Sequence, residues 1–178
     1  MGATIQPMEL KALIRDVPGF PQPGILFRDI TPLLKDPEAF RLVLALLEAD
    51  AAARTPDAIV GIESRGFLFG GPLADRMGLP FVPVRKPGKL PAARMSVEYS
   101  LEYGEDQLDI HQDALERGAR AYIVDDLLAT GGTARAAAKL VELIGGVVAG
   151  FGFVIELAAL GGRDAIVDYE SHALIVYE

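Results

Sequence analysis

Apolar positions along the chain recur with two different periods, and the switches between them predict its elements. Leu10, Leu13 and Ile14 share one face of a short helix over residues 8–17. The prolines and glycines of 18–24 break regular structure, and 25–27 is a short extended piece after them. Asp36 before Pro37 is an N-cap followed by proline at the first helical position. The helix it opens runs to about Ala53 and turns Phe40, Val43, Leu44 and Leu47 toward a core. The apolar run 58–62 predicts a buried strand, 67–77 the helix after it and 80–84 the next strand. At Val97 the period becomes two, with Val97, Tyr99, Leu101 and Tyr103 on one face; residues 104–107 read as a turn before 108–111, so a hairpin is expected. Strands at 120–124, 147–157 and 173–177, with a helix over 134–144, complete the pattern. Strands alternating with helices predict an α/β domain with a central, mostly parallel sheet flanked by helices. No repeat or second domain is visible, so residues 1–178 are expected to form a single domain.

Composition narrows the function. Of 178 residues 51% are apolar, enough for one core, yet no stretch approaches the roughly 20 apolar residues of a membrane span. Glu9, Lys11 and Arg15 interrupt the N-terminal segment, which lacks the apolar centre of a signal peptide. A cytoplasmic protein without a membrane partner is the expectation. There is no cysteine, which excludes disulfides, thiol catalysis and Cys–zinc sites; His111 and His172 are far apart, form no metal spacing and read as structural. The formal net charge of -8 argues against nucleic acid as a partner. Against that background Arg85, Lys86, Lys89 and Arg94 lie in one stretch without an acid. They are either a solvated loop or an anion clamp.

The richest chemistry lies between residues 121 and 133. The apolar run Tyr122, Ile123, Val124 ends in Asp125 and Asp126; a short turn leads to Thr130, Gly131, Gly132 and Thr133, where a helix begins. Backbone N–H groups at a helix start attract phosphate, glycines let the chain approach it, and threonine hydroxyls add hydrogen bonds. The acidic pair suits sugar hydroxyls or a divalent cation. No lysine follows the glycines as a Walker loop requires, and the dinucleotide pattern G-x-G-x-x-G is absent. Glu63-Ser-Arg65, Arg85 with Lys86, and the acidic pair all fall at C-terminal ends of expected strands, where such sheets bind ligands.

These residues resemble the ribose-phosphate motif of the type I phosphoribosyltransferases. Taken in order, Pro18-Gly-Phe-Pro with Phe27-Arg-Asp-Ile30, Glu63-Ser-Arg-Gly-Phe67, Arg85-Lys-Pro-Gly-Lys-Leu-Pro91, Tyr99-Ser-Leu-Glu-Tyr-Gly104 and Val124-Asp-Asp-Leu-Leu-Ala-Thr-Gly-Gly-Thr133 resemble the adenine phosphoribosyltransferase family over residues 17–178. The resemblance implies that family's fold, with a small N-terminal hood over about residues 1–34 and a hairpin lid over 87–104. It implies transfer of the phosphoribosyl group from 5-phospho-α-D-ribose 1-diphosphate (PRPP) to adenine, giving AMP and diphosphate, in purine salvage. It also implies Mg²⁺ carried by PRPP without a direct protein ligand, and a homodimer.

The roles follow from the match. Ala129, Thr130, Gly131, Gly132 and Thr133 correspond to the loop that grips the 5′-phosphate. Asp125 and Asp126 correspond to the acids beside the ribose hydroxyls, with Asp125 alternatively a cap that holds the loop. Ser64, Arg65, Arg85, Lys86 and Lys89 correspond to the diphosphate site, whose loop in this family often carries a non-proline cis peptide. Arg65 and Lys86 join Glu102 as the catalytic set, Glu102 managing the proton at adenine N7. Leu26, Phe27 and Arg28 correspond to the adenine contacts; Arg28 could instead pair with Asp29 or Glu9. Relatives acting on 6-oxopurines usually place Asp where this chain has Ala129, which points to a 6-aminopurine. Leu26 stands where Val is more usual and Arg117 where a turn proline is common. A PRPP-binding regulator tends to lose the lid and add a nucleic-acid-binding part, whereas this chain keeps Glu102 and the basic loop.

Overall fold

The computed structural model describes residues 7–101 and 104–178, with side chains over 9–99 and 106–178. The chain packs as two compact units, residues 1–46 and 47–178.

The first unit starts with a 3-10 helix, Pro7–Leu13, followed by β1 (Arg15–Pro18), β2 (Leu26–Asp29), α1 (Thr31–Lys35) and the opening of α2 (Pro37–Ala53). The helix expected over 8–17 is thus tighter and shorter. Leu10 and Ile14 are buried as anticipated, but from Arg15 the chain is extended and pairs antiparallel with β2. Charge favours that register: Arg15 lies opposite Asp29 and Asp16 opposite Arg28, and both couples form ion pairs. Arg28 is therefore tied across the strands to Asp16, a partner not anticipated for it. Phe20 and Phe27 meet edge to face at 5.1 Å. The expected N-cap holds: Asp36 Oδ1 accepts the N–H groups of Glu38 and Ala39 at 2.9 and 3.0 Å. The short α1 before it was not anticipated.

The second unit is built on a five-stranded parallel sheet of β3 (Ala58–Ile62), β4 (Phe81–Val84), β7 (Arg120–Leu128), β8 (Val147–Leu157) and β9 (Ser171–Tyr177), in the order β4-β3-β7-β8-β9. α3 (Gly66–Met77) packs on β3 and β7, and α4 (Gly132–Leu143) packs on β7, β8 and a separate hairpin, β5 (Arg94–Leu101) with β6 (Gly104–His111). A short α5 (Gly162–Ala165) precedes β9. Every residue of β3 is buried, which is why the sequence shows a continuous apolar run there rather than alternation.

Two boundaries differ from the sequence reading. β7 runs on through the acidic pair to Leu128, because β8 continues beside it and pairs Asp125 with Phe153 and Leu127 with Ile155. The expected turn at 104–107 is strand instead: Leu101 pairs with Gly104, and residues 104–107 belong to β6. Asp106 can sit in a strand because Lys86 is its counter-ion. Tyr103 and Glu102 lie outside the described residues.

A polar strut crosses the second unit. Tyr122 is fully buried on β7, and its hydroxyl donates to Asp50 Oδ2 at 2.6 Å. Arg54 in turn donates to both oxygens of Asp50. A Cβ on Gly152 would stand 2.4 Å from the Tyr122 hydroxyl, so only glycine leaves it room. Burial and the Asp50 hydrogen bond push the Tyr122 pKa far up, so the phenol remains a donor. Asp50→Ala would leave that buried hydroxyl unpaired. It is expected to cost about 1–3 kcal/mol of stability, read from urea denaturation. No loss would mean that the hydroxyl finds another acceptor.

Candidate active site

Three neighbouring strand ends build the site. After β3 the chain passes through a cis peptide between Glu63 and Ser64, in the loop that often carries one in the family it resembles, and enters α3 at Gly66. A Cβ on Gly66 would lie 2.7 Å from the Val124 carbonyl, so glycine lets the start of α3 rest directly on β7. After β4, Arg85 and Lys86 come beside the same loop. Glu63 Oε2 accepts Arg85 Nε at 2.9 Å and the Lys86 N–H at 2.8 Å. The Arg85 hydrogen bond, opposed by burial and helped by the Lys86 N–H, holds the Glu63 pKa below the ordinary range. Glu63 therefore joins the loop after β3 to the basic segment after β4. Sequence reading placed Glu63 at this strand end with Ser64 and Arg65 but gave it no role of its own.

The basic segment divides. Arg85 and Lys86 are half-buried, and the Arg85 guanidinium lies 5.7 Å from the centre of the Phe67 ring. Lys89 is exposed. Arg94 starts β5, where its Nε is 3.2 Å from Asp109 Oδ2.

Asp125 and Asp126 occupy the C-terminal part of β7. Asp126 is 3% exposed, and its Oδ2 is 2.9 Å from Arg65 Nε. That contact is an ion pair without hydrogen-bond alignment, because the same oxygen has no hydrogen-bond partner. Asp125 Oδ1 accepts the N–H of Asp126 at 2.9 Å and stands 3.1 Å from where a Cβ on Gly66 would be. Asp125 thus lies close against the start of α3, and Asp126 meets the cation that precedes it. Burial raises both pKa values; the charge of Asp126 adds to the rise at Asp125, and Arg65 opposes it at Asp126. Two adjacent carboxylates held at such cost are a mark of function.

Ala129, Thr130, Gly131, Gly132 and Thr133 form the turn into α4. Gly131 sits in the left-handed region at φ 81° and precedes the first helical residue. Neither α3 nor α4 has a side-chain cap at its N-terminus. Two helix starts thus follow the ends of adjacent parallel strands, an arrangement suited to a ligand with phosphates at both ends. No carboxylate occupies position 129.

A contact absent from the sequence reading supports this loop. A Cβ on Gly162 would lie 2.3 Å from the Ala129 carbonyl oxygen, and one on Gly131 would lie 2.4 Å from the Gly162 carbonyl oxygen. The start of α5 therefore lies directly against the loop. It is fixed by Arg163, whose Nε and Nη2 donate to the two oxygens of buried Glu156 at 2.7 and 2.6 Å. Glu156 near the end of β8, followed by two glycines and an arginine, was the available signal.

Of the remaining expected site residues, Leu26, Phe27 and Arg28 are on β2 of the first unit; Leu26 is exposed and the other two are half-buried. Glu102 lies outside the described residues.

A glycine–threonine loop at a strand end, an acidic pair and a cationic strand end together suit a sugar-phosphate ligand on an α/β sheet. The family model for the phosphoribosyl transferase domain matches residues 33–174, and the chain belongs to that family. An adenine phosphoribosyltransferase from Acaryochloris marina is 56% identical over 170 residues, covering 96% of this chain and 100% of the relative. The crystal structure of adenine phosphoribosyltransferase from Thermoanaerobacter pseudethanolicus superposes with a TM-score of 0.94 at 53% identity, covering 97% of this chain and 100% of that one. The enzyme of Saccharomyces cerevisiae, crystallised with D-2,5-dideoxy-2,5-imino-altritol 1,6-bisphosphate and adenine, gives 0.88 at 42% identity over 94% and 97% of the two chains. Within the family the chain falls among the adenine phosphoribosyltransferases.

Proposed function

We infer that the chain transfers the 5-phosphoribosyl group of PRPP to N9 of adenine, giving AMP and diphosphate. The observation that carries the reading is the meeting of the 129–133 loop, Asp126 with Arg65, and Arg85 with Lys86 at the ends of β7, β3 and β4. The loop and the start of α4 hold the 5′-phosphate. Asp126 accepts from the ribose hydroxyls, with Asp125 beneath it. Ser64, Arg65, Arg85, Lys86 and Lys89 take the diphosphate, so positive charge stands where the leaving group gathers electrons. The C1–oxygen bond to diphosphate breaks through an oxocarbenium-like state, which the buried carboxylates favour. The bond from N9 to C1 forms, and the ring proton passes to Glu102 near N7.

The role of Glu102 rests on the resemblance of its Tyr-Ser-Leu-Glu-Tyr-Gly segment, and so do the adenine contacts of Leu26, Phe27 and Arg28. The hood over 1–34 and the lid over 87–104 within one functional domain rest on the same ground. Mg²⁺ enters the proposal as the ion chelated by PRPP, and when bound it offsets charge on the diphosphate. Among the described residues no group of three His, Cys, Asp or Glu could hold a metal alone. The adjacent carboxylates of Asp125 and Asp126 fit contact with an ion held chiefly by substrate oxygens. A cytoplasmic homodimer is the proposed setting; among the described residues no helix is long and apolar enough to cross a membrane.

AMP formation from adenine and PRPP with Mg²⁺ tests the reading, and no diphosphate release would overturn it. Glu102→Ala is expected to lower turnover by roughly 10- to 100-fold while PRPP still binds. An unchanged rate would remove Glu102 from the proton step.

A further inference from the structure

The cation at the end of β4 already has an anion. Lys86 Nζ is paired with Asp106 of β6 and lies 3.2 Å from the Tyr99 hydroxyl. That hydroxyl donates to Asp106 Oδ2 at 3.1 Å and accepts from Thr133 Oγ1 at 3.4 Å. Tyr99 and Asp106 face each other in the hairpin register. The hairpin is in turn joined to β4 by the two backbone hydrogen bonds between Arg85 and Asp109, at 2.9 and 2.8 Å. A carboxylate and a phenol are thus held on Lys86, the half-buried one of the two lysines assigned to the diphosphate. The pair borders open space: Asp106 lines a cleft of about 270 Å³ with Pro87, Glu98 and Gln107. Breaking it therefore requires no repacking of the core.

We propose that Asp106 is a built-in competitor of the diphosphate group, holding Lys86 until a more highly charged anion displaces it. This rests on the functional reading above, which puts diphosphate at Lys86. A singly charged carboxylate loses Lys86 to diphosphate, which carries more charge, but competes well with weaker anions. Asp106 therefore sets how much charge a ligand needs to claim the lysine, and it takes the lysine back when the product leaves. Tyr99 orients the carboxylate and connects it to Thr133 in the phosphate loop.

The test is calorimetric titration of the intact protein with Mg²⁺-diphosphate and with inorganic phosphate. Asp106→Asn keeps an acceptor for the Gln107 N–H, which Asp106 Oδ1 receives at 2.8 Å, so the strand is preserved. The variant is expected to bind diphosphate about fivefold to tenfold more tightly and to discriminate less against inorganic phosphate. In a Lys86→Met background the same change is expected to alter diphosphate binding by less than about twofold. Unchanged or weaker diphosphate binding in Asp106→Asn would overturn the proposal, and so would an equal gain without Lys86. A parent that binds PRPP but shows no Asp106-dependent gain defeats this inference alone. A parent that binds neither PRPP nor diphosphate defeats the functional reading and this inference together.

Discussion

Asp126→Asn is expected to weaken PRPP binding by roughly 100-fold or more while leaving the ligand-free chain more stable than the parent at neutral pH. The affinity loss follows from the role proposed for Asp126. A hydrogen bond to a charged group contributes about 1.5–3 kcal/mol, and two ribose hydroxyls on one carboxylate bring the total to roughly 3–6 kcal/mol. The stability gain follows from the electrostatics. Burial raises the pKa of Asp126 against the pull of Arg65, and burial together with the Asp126 charge raises that of Asp125. For acids raised in the folded state, the native chain holds protons that the unfolded chain has released. Stability therefore falls as pH climbs from the ordinary carboxylate range through the raised values, and the penalty persists above them. Removing one charge lifts the penalty for both residues. Arg65, whose side chain is 39% exposed, keeps its access to water. Melting curves at about pH 8 are expected to favour the variant, and curves at about pH 4 to bring the two proteins together. A variant less stable at high pH would mean that the acids serve the fold more than the ligand.

Gly162→Ala is expected to lower kcat/KM for PRPP by about 100-fold, although Gly162 lies outside the motif that identifies the site. The added methyl would stand 2.3 Å from the Ala129 carbonyl oxygen and 2.9 Å from Leu128 Cγ. One of them is backbone of the phosphate loop. The start of α5 at Gly162 cannot give way easily, because Arg163 is clamped to Glu156 by two hydrogen bonds. The loop must retreat by about 1 Å, a displacement that costs an oriented reaction roughly two orders of magnitude. Overpacking adds a stability loss of about 1–3 kcal/mol, so melting is measured beside the kinetics. Unchanged kcat/KM would show that the loop tolerates the shift.

The sequence disclosed the parts of this molecule that are local. Residues 58–62 and 147–157 are largely buried strands whose apolar runs need no partner to be recognised, and the loop at 129–133 is one short segment whose glycines and threonines suit a phosphate. The extension of β7 to Leu128 was hidden because Asp125 and Asp126 interrupt the apolar run, while the backbone pairing to β8 that continues the strand leaves no trace in side chains. β1 was hidden for a related reason: three of its four residues are exposed, so no period marks it. Gly162 against Ala129 and Asp106 on Lys86 join segments distant in the chain, and neither pattern nor spacing announces them. The candidate residues at the ends of β3 and β4 stood out because they sit just after their strands, and the acidic pair because it ends an apolar run; the contacts that fix them to one another did not.

The most direct test of the central claim is a steady-state assay with PRPP and Mg²⁺ in which adenine, hypoxanthine, guanine and xanthine are offered separately. The account predicts AMP from adenine and no nucleotide from the three 6-oxopurines, because position 129 is Ala and offers no carboxylate to their N7. Nucleotide formed from a 6-oxopurine and not from adenine would contradict it.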